Sequence, residues 1–125
     1  MTYTVLHKIK AHLLKQKQQS VNRDGECMYR GDFTRACSIG CIIPDQEYHP
    51  DLEGKLIDAI CMGVPSISAI LGDDRRILLW TNRLNALKRM QVIHDIVEAR
   101  HWEVWCDKAI AEFGGLFPDI PEDSP

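Results

Sequence analysis

Residues 75–99 read RRILLWTNRLNALKRMQVIHDIVEA, and their periodicity decides the fold class. Ile77, Trp80, Leu84 and Leu87 recur at alternating three- and four-residue intervals, and Met90, Ile93 and Val97 continue near the same face. That spacing puts apolar side chains on one side of an α-helix. Asp73 or Asp74 is the expected N-cap. A helix of this length is long for the size of the chain, so the reading allows a bend near Thr81–Asn85.

The same period recurs on both sides. Val5, Leu6, Ile9 and Leu13 predict a helix near residues 4–17, with Lys8, Lys10, Lys15 and Lys17 filling much of the rest. Its apolar face lacks Trp and Phe, which favours core packing over a membrane surface. Leu52, Leu56, Ile57, Ile60 and Cys61 predict a helix near 51–62, capped by Asp51, stopped by Gly63 and followed by Pro65. Ser66–Leu71 adds one or two helical turns before Gly72. Trp102, Trp105, Ala109 and Phe113 form the last stripe, ended by Gly114-Gly115. Trp80, Trp102 and Trp105 could anchor an interface, but their helical spacing favours burial in the core. Ala36–Ile43 reads as a short helix with Cys37 and Cys41 one turn apart, Ala36 and Gly40 allowing close backbone approach, and Pro44 as its end. In the loop-rich stretch 18–35, Asp24-Gly25 is a turn dipeptide able to close a small hairpin. The expected fold is mainly α, a compact bundle of five or six helices with room for a two-stranded β-hairpin near residues 19–30. The alternative is α+β with little β. Residues 1–117 form one domain, and 118–125 a flexible acidic tail.

Of the 125 residues 45% are hydrophobic and 26% charged, which excludes wholesale disorder. No apolar run approaches the roughly 20 residues of a membrane span, and the N-terminus does not read as a signal peptide. The expected compartment is the cytoplasm. Five cysteines, an odd count without an export signal, point to reduced thiols rather than a disulfide framework. The net charge of −3 is uneven: residues 1–35 carry +4, 36–74 carry −6 and 75–125 carry −1. Such polarity can steer a charged partner, but a solvated helix face is the preferred reading. The negative balance, without a basic stripe interleaved with aromatics, argues against nucleic acid.

The chemistry-bearing residues concentrate between Cys27 and Gly54. Three thiols, Cys27, Cys37 and Cys41, fall close together, and His49 or Cys61 can complete a zinc tetrahedron. Their C-x9-C and C-x3-C spacings lack the paired C-x2-C form, and free cysteine also packs as a small hydrophobe. Scaffold cysteines, reduced and uncharged, are the expectation. A cysteine nucleophile needs a base; His7, His12, His49, His94 and His101 are on offer, with no local signature linking one to a thiol. His94-Asp95 is the kind of pair that metal-dependent phosphohydrolases use, but the further ligands are lacking, so pairing with helix neighbours is expected. No phosphate-binding glycine loop is present. Tyr29-Arg30-Gly31 can offer a guanidinium to an anion, or Arg30 can buttress Asp45 or Glu53. Gly31, Gly40 and Gly54 suit sharp turns or close packing. Among them Tyr29, Arg30, Asp45, Tyr48 and Glu53 form a fold-defining hydrogen-bond network or line a ligand or partner surface. The network is preferred, because buried polar groups must find partners.

Three blocks carry a resemblance: Cys27-Met28-Tyr29-Arg30-Gly31; Cys37-Ser38-Ile39-Gly40-Cys41-Ile42-Ile43-Pro44-Asp45; and Tyr48-His49-Pro50-Asp51-Leu52-Glu53-Gly54. Gln91, His94-Asp95 and Trp102 add a fourth. Over residues 4–117 the chain resembles a family of small proteins of phages, prophages and bacterial genomes. It departs from them at Asp32–Arg35, where relatives tend to carry a Pro/Asp/Gly turn. The resemblance implies a cytoplasmic, phage-linked setting and brings no catalytic role.

The leading expectation is a non-enzymatic accessory protein, phage- or prophage-derived, that binds and inhibits a host protein, with self-association left open. The alternatives are a zinc-stabilised module using Cys27, Cys37, Cys41 and His49, and a small-ligand or nucleotide-binding protein using Arg30 and its neighbours. A Cys/His enzyme has the least support.

Overall fold

The computed structural model of the chain describes residues 2–31, 35–72 and 77–122. The fold is mainly α. Among the described residues five α-helices follow in order: α1 (Val5–Gln16), α2 (Ile57–Gly63), α3 (Pro65–Leu71), α4 (Ile77–Ile96) and α5 (Trp102–Phe113). Short 3-10 turns lie at Gly40–Ile42, Asp45–Glu47, Pro50–Leu52, Ala99–His101 and Gly114–Leu116. The hairpin and the α+β alternative reduce, among the described residues, to two isolated antiparallel bridges, Val21 with Cys27 and Arg30 with Ala36. Between the first pair Gly25 takes φ +80, the left-handed turn expected of Asp24-Gly25. The flanking segments are too short to extend a ladder. The caps expected at Asp73 or Asp74, and residues 32–34 of the divergent turn, lie outside the described residues.

α1 begins where Thr4 caps it. Thr4 Oγ1 accepts from the Leu6 amide at 3.2 Å, and His7 Nδ1 accepts from the Thr4 amide at 3.0 Å, so two of the N–H groups that a helix start leaves unpaired are satisfied. Lys17, at φ 61, ends the helix and returns its amide to the Leu13 carbonyl. Leu6, Ile9 and Leu13 are fully buried, each contributing on the order of 2 kcal/mol. α4 is the central element and packs against α1, α2, α3 and α5. Its Leu84, Leu87, Met90 and Ile93 point into the core. No helix of the described residues is long and apolar enough to cross a membrane.

Several boundaries move from their sequence positions. The helix read over 51–62 starts only at Ile57, because Pro50–Leu52 forms a 3-10 turn and Gly54, at φ +81, reverses the chain. His49, not Asp51, caps that turn, its Nδ1 accepting from the Asp51 amide at 3.1 Å. Leu56, read as core, is exposed. The helix read over 36–43 is one α-type turn, with the Cys41 amide on the Cys37 carbonyl, leading into the 3-10 turn at Gly40–Ile42. Trp102 is buried, but Trp105 faces solvent with the Lys108 ammonium 4.5 Å from its ring. Phe117, at the expected end of the domain, is buried, and just beyond it the Ile120 amide donates to the Tyr3 carbonyl at 2.7 Å.

Candidate functional site

The polar residues singled out between Tyr29 and Glu53 meet in one network. The turn at Gly54 aims the Glu53 carboxylate back at the 27–31 loop. Its Oε1 accepts from the Tyr29 amide (2.8 Å), and its Oε2 from the Arg30 amide (3.0 Å) and the Tyr48 hydroxyl (2.6 Å). The Tyr29 hydroxyl donates to the Lys55 carbonyl. Arg30 Nη2 donates to the Ile43 carbonyl and to Asp45 Oδ1, both at 2.7 Å, and its guanidinium lies 4.7 Å from the centre of the Tyr48 ring. Burial, with the Glu53 carboxylate, pushes the Tyr48 phenol up to about 12. Tyr29, Arg30, Asp45, Tyr48 and Glu53 thus tie the 27–31 loop to the 43–55 segment. Replacing Glu53→Gln puts an NH2 group against donors. We expect a loss of about 2 kcal/mol in urea denaturation, because charge-assisted bonds to backbone amides are lost; a loss under about 0.5 kcal/mol would mean that water replaces the carboxylate.

A second network sits at the C-terminal end of α4. Ser20 donates its amide to His94 Nε2 at 2.9 Å, so the proton of the neutral ring resides on Nδ1, which donates to Asp95 Oδ1 at 2.7 Å. Asp95 Oδ1 also accepts from Gln91 Nε2 at 2.8 Å, and the same Nε2 lies 3.0 Å from Cys27 Sγ. Gln91 Oε1 accepts from the Ile39 amide, and Ser38 Oγ donates to the Met90 carbonyl. Gln19 Nε2 donates to the His94 and Asp95 carbonyls at the end of the helix. The fully buried imidazole stacks on Trp102 at 5.8 Å. The resemblance residues Cys27, Gln91, His94, Asp95 and Trp102 therefore converge at one place. Ser20 and Gln19, which complete it, carry no periodic or motif signal; the Ser20 hydroxyl is buried and has no partner among the described residues.

The zinc set read from sequence does not assemble. The Cys41 thiol donates to the Ser38 carbonyl, and His49 is spent on the turn beside it. The reason is the turn geometry of 38–42, which directs Cys37 and Cys41 to different surroundings. The group that does gather is Cys27, His94 and Asp95, whose ligand atoms lie within 4.8 Å of one another. Cys27 departs from the expected scaffold role in position: it is exposed and lines, with Tyr29, Leu56, Gln91 and Asp95, an open cleft of about 250 Å³. Although the residue as a whole is exposed, its sulfur is turned toward Cys37, and the hydrogen bond there, with desolvation of the thiol itself, raises its pKa. Burial also raises Cys41 to about 12 and Cys61 and Cys106 to about 11, so these four thiols stay protonated at neutral pH. For His94 burial lowers the pKa, but bonds from Asp95 and Cys27 outweigh it and the net shift is upward. For Asp95 burial raises the pKa, and the bonds from His94 and Cys27 outweigh it downward.

Chemically, the trio is a held node. A base needs a free Nε2 lone pair to take the Cys27 proton, and the Ser20 amide occupies it. A metal ligand needs one ring nitrogen released, either from Ser20 or from Asp95. No family model, curated protein or solved structure matches the chain.

Proposed function

We propose that the protein works by binding another protein, and that the outward face of α4 is the contact. The observation that carries this reading is that α4, whose core face is fully used, also exposes three large apolar side chains. Leu84, Leu87, Met90 and Ile93 face the core, while Leu78, Val92 and Ile96 face solvent, Leu78 at 74% and Ile96 at 76% exposure. At 3.6 residues per turn these three side chains fall within about 40° around the axis and span about 27 Å of helix. Exposed Asn85 and Arg89 lie on the same face between Leu78 and Val92, so the apolar surface is concentrated at the Val92–Ile96 end, and exposed apolar side chains grouped in this way mark interaction sites. Leu56, 78% exposed before α2, lines the small cleft together with Gln91 and Asp95. The partner chemistry that fits is an apolar helix or strand face.

A host protein as that partner, inhibition as the outcome, a cytoplasmic setting and a phage origin rest on the resemblance alone. A photo-crosslinking residue at Ile96 tests the surface. We expect one reproducible adduct in a bacterial lysate, weakened at least about tenfold by Val92→Asp and absent from a control position at Glu103. An adduct with a second copy of the chain, seen with a dimer in sedimentation, would make this face a self-association surface. No adduct at Ile96 together with a monomer would overturn the reading. A second reading, a metal-held module, is supported by the Cys27–His94–Asp95 grouping and opposed by the Ser20 amide. The zinc content of protein purified without chelator decides it.

A further inference from the structure

On another face, α1 and the segments 30–31 and 35–45 enclose an open cleft of about 730 Å³. That volume suits a ligand the size of a nucleotide. Its walls differ in character. Ala36, Cys41, Ile43 and Pro44 make an apolar side, and Arg30 and Arg35 bring cationic side chains, with Asp45 as the acid; His12 also lines the cleft, its Nε2 bonded to the Ala36 carbonyl at 2.9 Å. Lys8, one turn before His12, lies near enough to lower the Cys41 pKa against the burial that raises it.

Arg30 is oriented but not exhausted. Nη2 is spent on the Ile43 carbonyl and Asp45, and the guanidinium is braced against the Tyr48 ring. Its Nε and Nη1 donors form no bond with the described residues. A planar fork with an unused edge matches the geometry of a phosphate. Its ionic partner among the described residues, Asp45, has a side chain 93% exposed, and such pairs hold weakly in water. An incoming anion can displace it.

We propose that this cleft binds a small phosphorylated molecule of nucleotide size, the phosphate on the open edge of Arg30 and the ring body against the Ala36–Pro44 wall. Asp45 then acts as a tethered competitor for the guanidinium. The inference is independent of the α4 surface.

The probe is adenosine monophosphate, titrated into the full chain and followed by amide NMR and calorimetry. We expect saturable binding that shifts the Gly31, Gly40 and Cys41 amides and weakens with added salt. Asp45→Asn should tighten it by about threefold, the size of a lost surface ion pair. Arg30→Gln should abolish it; if that variant unfolds, the Asp45→Asn gain still carries the test. Absence of saturable shifts up to about 10 mM probe in both wild type and Asp45→Asn would overturn the proposal. So would equal affinity for inorganic phosphate, which would leave the apolar wall without a role, or shifts centred on α5.

Discussion

Gly40→Ala removes the native fold, as the loss of a cooperative urea transition or a melting point more than about 15 °C lower. A Cβ at this position would sit on the Tyr29 carbonyl oxygen, with the Tyr29 carbonyl carbon and Cα also inside contact distance. These are backbone atoms, so no rotamer change relieves the clash. Nor can Tyr29 withdraw cheaply: Glu53 holds its amide, the Lys55 carbonyl its hydroxyl, and the Cys37 amide its carbonyl. Overpacking against side chains costs about 1–3 kcal/mol, and a backbone overlap exceeds that. Native domains have only about 5–15 kcal/mol to lose. Gly63→Ala is the control, because a Cβ there meets nothing within 4 Å and Gly63 ends α2; it should be neutral or stabilising. A Gly40→Ala protein within about 1 kcal/mol of wild type would show that the two segments do not approach this closely.

His94→Ala comes next, at about 3–5 kcal/mol. Three losses combine. The buried Ser20 amide loses its acceptor, Asp95 loses its closest donor, and a cavity opens against Trp102. Asp95→Asn keeps an oxygen for Nδ1–H and should cost less. It also isolates a pH effect. The Asp95 carboxyl is held below its ordinary value in the folded protein, so its contribution is present above the unfolded carboxylate range and lost as pH falls through the lowered folded value. In Asp95→Asn that part of the acid sensitivity disappears. Should His94→Ala lose less than about 1 kcal/mol, the imidazole is not a structural node, and chemistry at Cys27 returns as the better account.

Which polar residues matter is largely legible in the sequence: Tyr29, Arg30, Asp45, Tyr48 and Glu53 stand among the turn glycines, and His94 and Asp95 are chain neighbours. Which atoms they satisfy is not. Glu53 serves two backbone amides 23 and 24 residues away, and His94 serves one 74 residues away. Such partners exist only after the chain has closed on itself, so no local pattern encodes them. Zinc ligation by Cys27, Cys37, Cys41 and His49 was a reading of linear proximity, and the turns at 38–42 and 50–52 dispersed it.

Helix content was a property of the chain read in windows, because the 3.6-residue period of apolar positions is a local response to burial. α1, α3, α4 and α5 lie near where the period puts them. Which faces are finally covered was decided only in three dimensions. Leu56 and Trp105 share their stripes with buried neighbours yet face solvent, and α4 turns Val92 and Ile96 outward, since a period fixes relative direction around an axis while the packing of other helices decides which direction is inside.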